Sequence, residues 1–274
     1  MRSSKAFSLA IVIVVALFSA ASSQAEVKQT ETIVRVFPLP SEGDISISNV
    51  NGQIQIEAWD KDSVRVSAEK IIRASSKEKA QEYLKELKIE FETESDFLSI
   101  KPIFPKHTGE GWNFFDWLFG TGSRIRATVN FHLWVPRQSS IESSSVNGST
   151  RITGTTGEID TKGTNGRLLF KDVCGDISGE TVNGSISARI LNGGSLNSLV
   201  LKTINGSITI ELPETAGGHI VLKTVNGSIE SDFPIEFTGK ISRHKMKGHF
   251  GKGHSRVELT TINGAIRVRK LLEK

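Results

Sequence analysis

The stretch ETVNGSISA, residues 180–188, decides the fold, because the same frame recurs along the chain. Five other segments share it: SNVNGQIQI (48–56), SSVNGSTRI (144–152), KTINGSITI (202–210), KTVNGSIES (223–231) and TTINGAIRV (260–268). After the glycine, apolar residues such as Ile186 and Ala188 alternate with polar ones, which predicts a strand with one buried face. Successive Asn-Gly pairs between 147 and 226 lie 18, 18, 22 and 21 residues apart. Each interval is long enough for two short strands and two turns.

Two architectures fit this repeat. Asn-Gly between alternating strands is typical of hairpins, which would give an antiparallel meander. In a β-solenoid, each repeat instead makes one coil, and equivalent asparagines stack so that their side-chain amides form a hydrogen-bonded ladder. The glycine would then supply the positive φ that each corner needs. Because the frames are nearly identical, we predict a mainly β chain, a single-stack β-solenoid of 18–22-residue Asn-Gly coils with one inserted α-helix. The predicted ladder consists of Asn51, Asn147, Asn165, Asn183, Asn205, Asn226 and Asn263.

The chain before the repeats has a different pattern. Residues 26–137 contain alternating strand segments, a helix over about 75–87 and a glycine-bracketed loop over about 105–123. Ser75 and Glu78 have the spacing of a capping box at the start of that helix. Residues 138–274 carry the repeats, and we expect them to be continuous with the preceding part as one domain.

Residues 1–25 have the features of an export signal. Arg2 and Lys5 precede an apolar core over 9–18, and small side chains at Ser23 and Ala25 suit a signal peptidase. The alternative is an uncleaved anchor, but ten apolar residues in a helix rise only about 15 Å, half of a bilayer core. We expect cleavage after Ala25 and a periplasmic, cell-surface or extracellular protein.

The composition excludes several classes of protein. The chain has 34 Lys and Arg against 30 Asp and Glu, and losing Arg2 and Lys5 leaves these almost balanced. This balance argues against a nucleic-acid binder whose whole surface is basic. One cysteine excludes a disulfide framework and a cysteine-based zinc site. No HExxH, P-loop or GxSxG motif is present, so we predict no catalytic residue, no cofactor and no metal site.

The order of these motifs resembles a known family. The segment GDISISNVNGQIQIEAWDKDSVRVSAEK (43–70), the capped helix, the TVNGSI units and the closing GHFGKGHSRVELTTINGAIRV (248–268) are similar to the bacterial putative adhesin family, domain of unknown function 4097. The resemblance covers nearly all of the chain after the export signal. It implies an exported or surface-associated β-solenoid, and it brings no catalytic residues.

An aromatic segment is a candidate contact surface. Residues 112–119, WNFFDWLF, are too apolar to be fully exposed without forming a sticky patch. The segment either folds back to cap the core or contacts a partner or membrane surface. Its aromatic residues are Trp112, Phe114, Phe115, Trp117 and Phe119.

A basic segment is the second candidate. Residues 240–256 contain no acidic residue, so they form either a solvated loop between two coils or an anion-binding patch. The candidate anion-binding residues are Lys240, Arg243, Lys245, Lys247, Lys252 and Arg256.

These features favour a non-enzymatic binding or scaffold protein, adhesin-like in architecture, whose ligand the sequence does not identify. Envelope glycans, other proteins and anionic polymers are the candidate partners, and nucleic acid is disfavoured. One alternative is an envelope enzyme that acts on polysaccharide, which would need clustered carboxylates with raised pKa values. The other is a structural envelope component that assembles through the aromatic segment.

Overall fold

The chain folds into two mixed β-sheets and one helix in the computed structural model, which describes residues 11–13, 26–105, 125–191, 195–238, 242 and 244–271. Each sheet has eleven strands. Sheet A runs, in spatial order, through β1 (Ile11–Ile13), β2 (Val27–Pro38), β5 (Ser63–Ala74), β8 (Arg126–Pro136), β4 (Ile54–Trp59), β10 (Thr150–Thr153), β12 (Leu168–Val173), β14 (Ile186–Ile190), β16 (Ile208–Leu212), β22 (Ile266–Lys270) and β18 (Ile229–Ser231).

Sheet B collects the strands that precede the Asn-Gly corners. It runs through β19 (Ile235–Phe237), β20 (Lys245–Phe250), β17 (Gly218–Lys223), β21 (Ser255–Asn263), β15 (Leu196–Asn205), β13 (Gly175–Asn183), β11 (Ile159–Asn165), β9 (Ser140–Asn147), β3 (Asp44–Asn51), β7 (Phe97–Ile103) and β6 (Lys88–Thr93). An Asn-Gly corner therefore carries the chain from sheet B to sheet A, and equivalent strands of different repeats pair in parallel.

The mainly β character is confirmed, but the predicted single-stack β-solenoid is wrong. The structure has two mixed sheets, in which β2, β5 and β8 pair antiparallel at one end and β19, β20 and β17 at the other. The last repeat also enters out of chain order, because β21 lies between β15 and β17. A period-two pattern specifies which face of a strand is buried, and it does not specify the strand's neighbour or direction.

The hydrophobic core lies between the two sheets. Alternate residues of each strand are buried, as in β14 and β16, and they join one continuous cluster. The sheets are closely packed: a Cβ atom placed on Gly179 of β13 would lie 3.0 Å from the ring of Phe170 in β12. The side chains on the outer face of each strand remain available for contacts with other molecules.

Glycine is required at the corners because the backbones of neighbouring corners lie very close together. A Cβ atom on Gly184 would lie 1.9 Å from the carbonyl oxygen of Gly166, the equivalent residue one repeat earlier. Of the seven corner glycines, only Gly52 has a positive φ, 121°. The expectation that every corner glycine supplies a positive φ is therefore wrong, and the spacing between stacked corners is the reason for glycine.

The helix α1 spans Lys77–Glu86 and packs against β2 and β5. Its N-cap is Ser76, whose hydroxyl accepts a 3.3 Å hydrogen bond from the backbone N–H of Lys79, so the predicted cap at Ser75 is wrong by one residue. Ala80 and Tyr83 are buried and extend the core at this end of the molecule.

The export-signal prediction falls mostly outside the described residues. Of residues 1–25, only β1 is described, and it pairs antiparallel with β2. Within the described ranges, the chain contains no helix with the length and hydrophobicity of a bilayer-spanning segment.

Candidate functional site

The seven predicted ladder asparagines lie in one row at the corners between the sheets. Each side-chain amide from Asn147 onward donates to the side-chain oxygen of the preceding asparagine in the row, at 2.7 to 2.9 Å. The spatial order is Asn51, Asn147, Asn165, Asn183, Asn205, Asn263 and Asn226. The row is continuous even though the last two residues exchange places relative to the chain.

A second polar row, which the sequence reading missed, supports the same corners. The hydroxyl of a threonine two residues before the asparagine donates to the glycine carbonyl oxygen of the neighbouring repeat, as from Thr203 to Gly184 at 2.9 Å. The other members are Thr181, Thr224 and Thr261. Both rows satisfy polar groups of stacked corners, and we therefore assign them a structural role, although Asn183, Asn205, Asn226 and Asn263 are exposed.

The aromatic candidate is not placed by the structure. Trp112, Phe114, Phe115, Trp117 and Phe119 all lie outside the described residues, as do Lys240 and Arg243 of the basic segment. Their proposed contacts stay predictions.

Four predicted basic residues are described, and three of them lie on the outer face of sheet B. Lys245 and Lys247 are exposed on β20, and Arg256 is exposed on β21, while Lys252 lies in the turn between these strands. The strand β17 lies between β20 and β21 and brings Lys223 directly opposite Lys245. Like charges opposite each other disfavour the sheet, and the carboxylate of Glu258, 3.5 Å from Lys223 Nζ, offsets part of this cost.

Two histidines extend the same surface. His219 of β17 lies opposite His249 of β20, with ring centroids 5.1 Å apart, and it also lies opposite Arg256. We call this surface the basic patch. Its members are Lys223, Lys245, Lys247, Arg256, His219 and His249.

One carboxylate lies within the basic patch, and a second, Glu236 of β19, lies opposite His249 at its edge. Glu258 of β21 accepts a 3.0 Å hydrogen bond from Arg256 and lies 3.5 Å from Lys223 Nζ. The Arg256 hydrogen bond, helped by the charge of Lys223, lowers the pKa of Glu258 below its ordinary value, against the opposing effect of burial. Lys245 and Lys247 have no ion-pair partner among the described residues. The basic patch therefore keeps uncompensated positive charge on β20.

His219 and Lys223 were missed in the sequence because they lie outside the basic segment. Only the pairing of β17 with β20 and β21 brings them to the patch. Their alternation with the buried Ile220 and Leu222 showed that they face outward, but no local signal gave their neighbours.

The other half of this face carries the opposite charge. Its carboxylates come from β3, β9, β11, β13 and the residue just before β11, and four of them line a shallow cleft of about 330 Å³. We call this surface the acidic patch. Its members are Asp44, Glu142, Glu158, Asp160 and Asp176. Lys162 lies 3.1 Å from Asp160, and this contact raises the pKa of Lys162. Across the described chain, no three His, Cys, Asp or Glu side chains are grouped as ligands for a metal ion.

On the outer face of sheet A, several charges are paired between neighbouring strands. Arg189 binds Asp172 at 2.7 Å, and Arg269 binds Glu230 at 2.7 Å and Asp232 at 2.9 Å. Sheet B also has ion pairs, including Lys202 with Glu180 and Lys162 with Asp160. Most of its basic residues nevertheless lie on β20, β17 and β21, and most of its acidic patch lies on β11, β9 and β3.

Among the comparisons with known proteins, the comparison with solved structures found similar proteins. No family model matches the sequence, and no curated protein matches it. A putative cell adhesion protein from Clostridium sporogenes ATCC 15579 is similar with a TM-score of 0.45 at 12% identity, over 90% of this chain and 100% of that chain.

Two further structures give lower scores. A putative adhesin from Bacteroides fragilis NCTC 9343 has a TM-score of 0.30 at 11% identity, over 88% of this chain and 97% of that chain. A putative adhesin from Parabacteroides distasonis ATCC 8503 has a TM-score of 0.23 at 12% identity, over the same shares. The resemblance of the sequence to domain of unknown function 4097 stays a prediction.

Proposed function

We propose that this chain is an exported, non-enzymatic binding protein, adhesin-like in architecture, that holds anionic polymers on its basic patch. One observation carries the proposal: three neighbouring strands place six basic side chains on one outer face, with Glu258 among them. Strands in a sheet lie about 4.8 Å apart, so these charges form rows that an extended polyanion can follow.

The arrangement of charge supports a polymer more than a small anion. Lys223, Lys245 and Lys247 point away from the core on adjacent strands, without a deep cavity around them. Exposed charges of this kind bind through long-range attraction that salt weakens, because the screening length is about 8 Å at physiological ionic strength. Binding should therefore be strong at low salt and lost at high salt.

The pKa values of the described carboxyl groups do not support the alternative of an enzyme that acts on polysaccharide. A general acid needs a carboxyl whose pKa is raised. Among the described carboxyls with a displaced pKa, Glu78, Glu214, Asp232 and Glu258, every displacement is downward, and hydrogen bonds to the ionised form cause it.

Retention on immobilised heparin, a model polyanion, tests the proposal. The K245E/K247E variant should elute at markedly lower NaCl than the unchanged protein. The matched control is K88E/K171E, which makes the same change in net charge at exposed lysines outside the patch. Circular dichroism and melting temperature verify that all variants fold. Equal elution of the two variants would contradict a localised site.

A further inference from the structure

The outer face of sheet B is divided into two oppositely charged halves. The basic patch lies on β20, β17 and β21, and most of the acidic patch lies on β11, β9 and β3. Two strands, β15 and β13, lie between these groups. On them, Lys202 pairs with Glu180 at 2.7 Å, so the centre of the face is neutralised internally.

We propose that a second copy of this chain binds on this face, with the basic patch of each copy against the acidic patch of the other. A two-fold axis parallel to the strands, between β15 and β13, places β21 over β11, β17 over β9 and β20 over β3 of the second copy. The arrangement is isologous, so one face supplies both halves of the contact and the assembly closes at two copies.

The order of the strands makes the charges complementary. Arg256 on β21 comes over Glu158, just before β11. Glu258 comes over Asp160, a like-charge contact that Arg256 and Lys223 beside Glu258 offset. On β20, His249 comes over Asp44 of β3, and Lys247 and Lys245 come over Ser46 and Ser48. The alternative two-fold axis, perpendicular to the strands, would place β17 and β20 against their own copies, so that basic strands face each other, which like-charge repulsion disfavours.

The size of the face limits the strength of the dimer. Eight strands from β20 to β3 span about 34 Å, and five residues of a strand span about 17 Å. The contact thus covers roughly 600 Å² per copy, near the lower limit for specific interfaces. A contact of this size held by exposed charges is a weak dimer that salt dissociates.

This inference rests on the proposed function in one respect, because both use the basic patch. A polyanion and a second copy would compete for the same lysines. The acidic patch belongs to the dimer alone, and its charges can be reversed without touching the lysines that bind the polymer.

Analytical ultracentrifugation of complementary charge-reversal variants tests the dimer. One variant is H249E/R256E, and the other is D44K/E158K. The axis places His249 over Asp44 and Arg256 over Glu158, and all four residues are exposed. The unchanged protein and the K88E/K171E control should dimerise at low salt and dissociate in NaCl of about 0.5 M or above. Each reversed variant alone should sediment as a monomer, and an equimolar mixture of the two should form a heterodimer.

The mixture is decisive, because two altered surfaces regain complementarity only if the patches face each other. Three results would overturn the inference: the mixture stays monomeric, the unchanged protein is monomeric at about 100 μM in low salt, or the protein associates beyond two copies.

Heparin retention separates the two proposals. If D44K/E158K and the unchanged protein both bind heparin but neither the protein nor the mixture dimerises, the dimer fails and the proposed function stands. If the mixture dimerises and K245E/K247E binds heparin as well as the control, the proposed function fails.

Discussion

The side-chain amide of Asn165 donates a 2.9 Å hydrogen bond to the side-chain oxygen of Asn147, the equivalent residue one repeat earlier. Asn165 also accepts a 2.9 Å hydrogen bond from Asn183, so its amide is used on both sides. Each interior asparagine thus couples three strands through one side chain. The backbone repeats this coupling, because Gly148 N–H donates to the Asn165 carbonyl at 2.9 Å.

Substitution of Asn165 tests the ladder. N165A removes one donor and one acceptor, and we expect a loss of about 1–3 kcal/mol in the free energy of unfolding, measured with urea. N165D should destabilise the protein at pH 7, because a carboxylate cannot donate to Asn147 and repels its side-chain oxygen. The control is N51D. Asn51 is the end of the row and keeps its role as acceptor for Asn147, so this change should be milder. Equal losses for N165D and N51D would contradict directional coupling.

The close approach of the corners gives a second prediction. G184A places a methyl group 1.9 Å from the Gly166 carbonyl oxygen, so the stacked strands must separate, and we expect a loss of about 3 kcal/mol. The control is G163A, because the nearest atoms to a Cβ there belong to the Thr181 and Leu168 side chains at 3.1 Å or more. Thermal unfolding of both variants measures the difference, and a melting temperature for G184A as high as that for G163A would count against the close contact.

The helix cap gives a third prediction. S76A removes the hydroxyl that accepts from the Lys79 N–H, and we expect it to destabilise the protein by about 1 kcal/mol. S75A should have almost no effect, because Ser75 is exposed and precedes the cap. Denaturant unfolding of the two neighbouring variants discriminates between these positions, and the reverse order of stability would restore the cap at Ser75.

The ionisation of Glu258 gives a pH-dependent prediction. Arg256 lowers the folded-state pKa of Glu258 below the ordinary value of 4.5. A carboxyl with a lowered pKa stabilises the fold at pH values above its unfolded-state pKa, and this contribution is lost as the pH falls through the lower folded-state value.

E258Q should therefore be less stable than the unchanged protein at pH 7, and the difference should shrink as the pH falls below 4.5. Urea unfolding from pH 7 to pH 3 follows this difference. A constant difference in stability across this pH range would show that the charge of the Glu258 carboxylate does not stabilise the fold. The same variant should bind heparin more tightly, because it removes the negative charge within the basic patch.

The local periodicity of the sequence correctly predicted which side chains of the strands are buried. Alternation identified Ile186, Ala188 and Ile208 as buried, and the structure buries all three. The helix near 75–87 was also indicated by its apolar stripe, although the cap is at Ser76. These features depend on neighbours within a few residues, so a single sequence is sufficient to find them.

By itself, then, the sequence determined the mainly β composition, the repeated frame and the inward face of each strand, because these follow from residues close together in the chain. Only the tertiary structure decided that β21 lies between β15 and β17, and that Lys223 lies opposite Lys245. Strands pair through backbone groups that are the same for every residue, so local pattern does not select the partner or the direction. The division of sheet B into basic and acidic halves depends on that order of strands, and packing of the whole chain sets it.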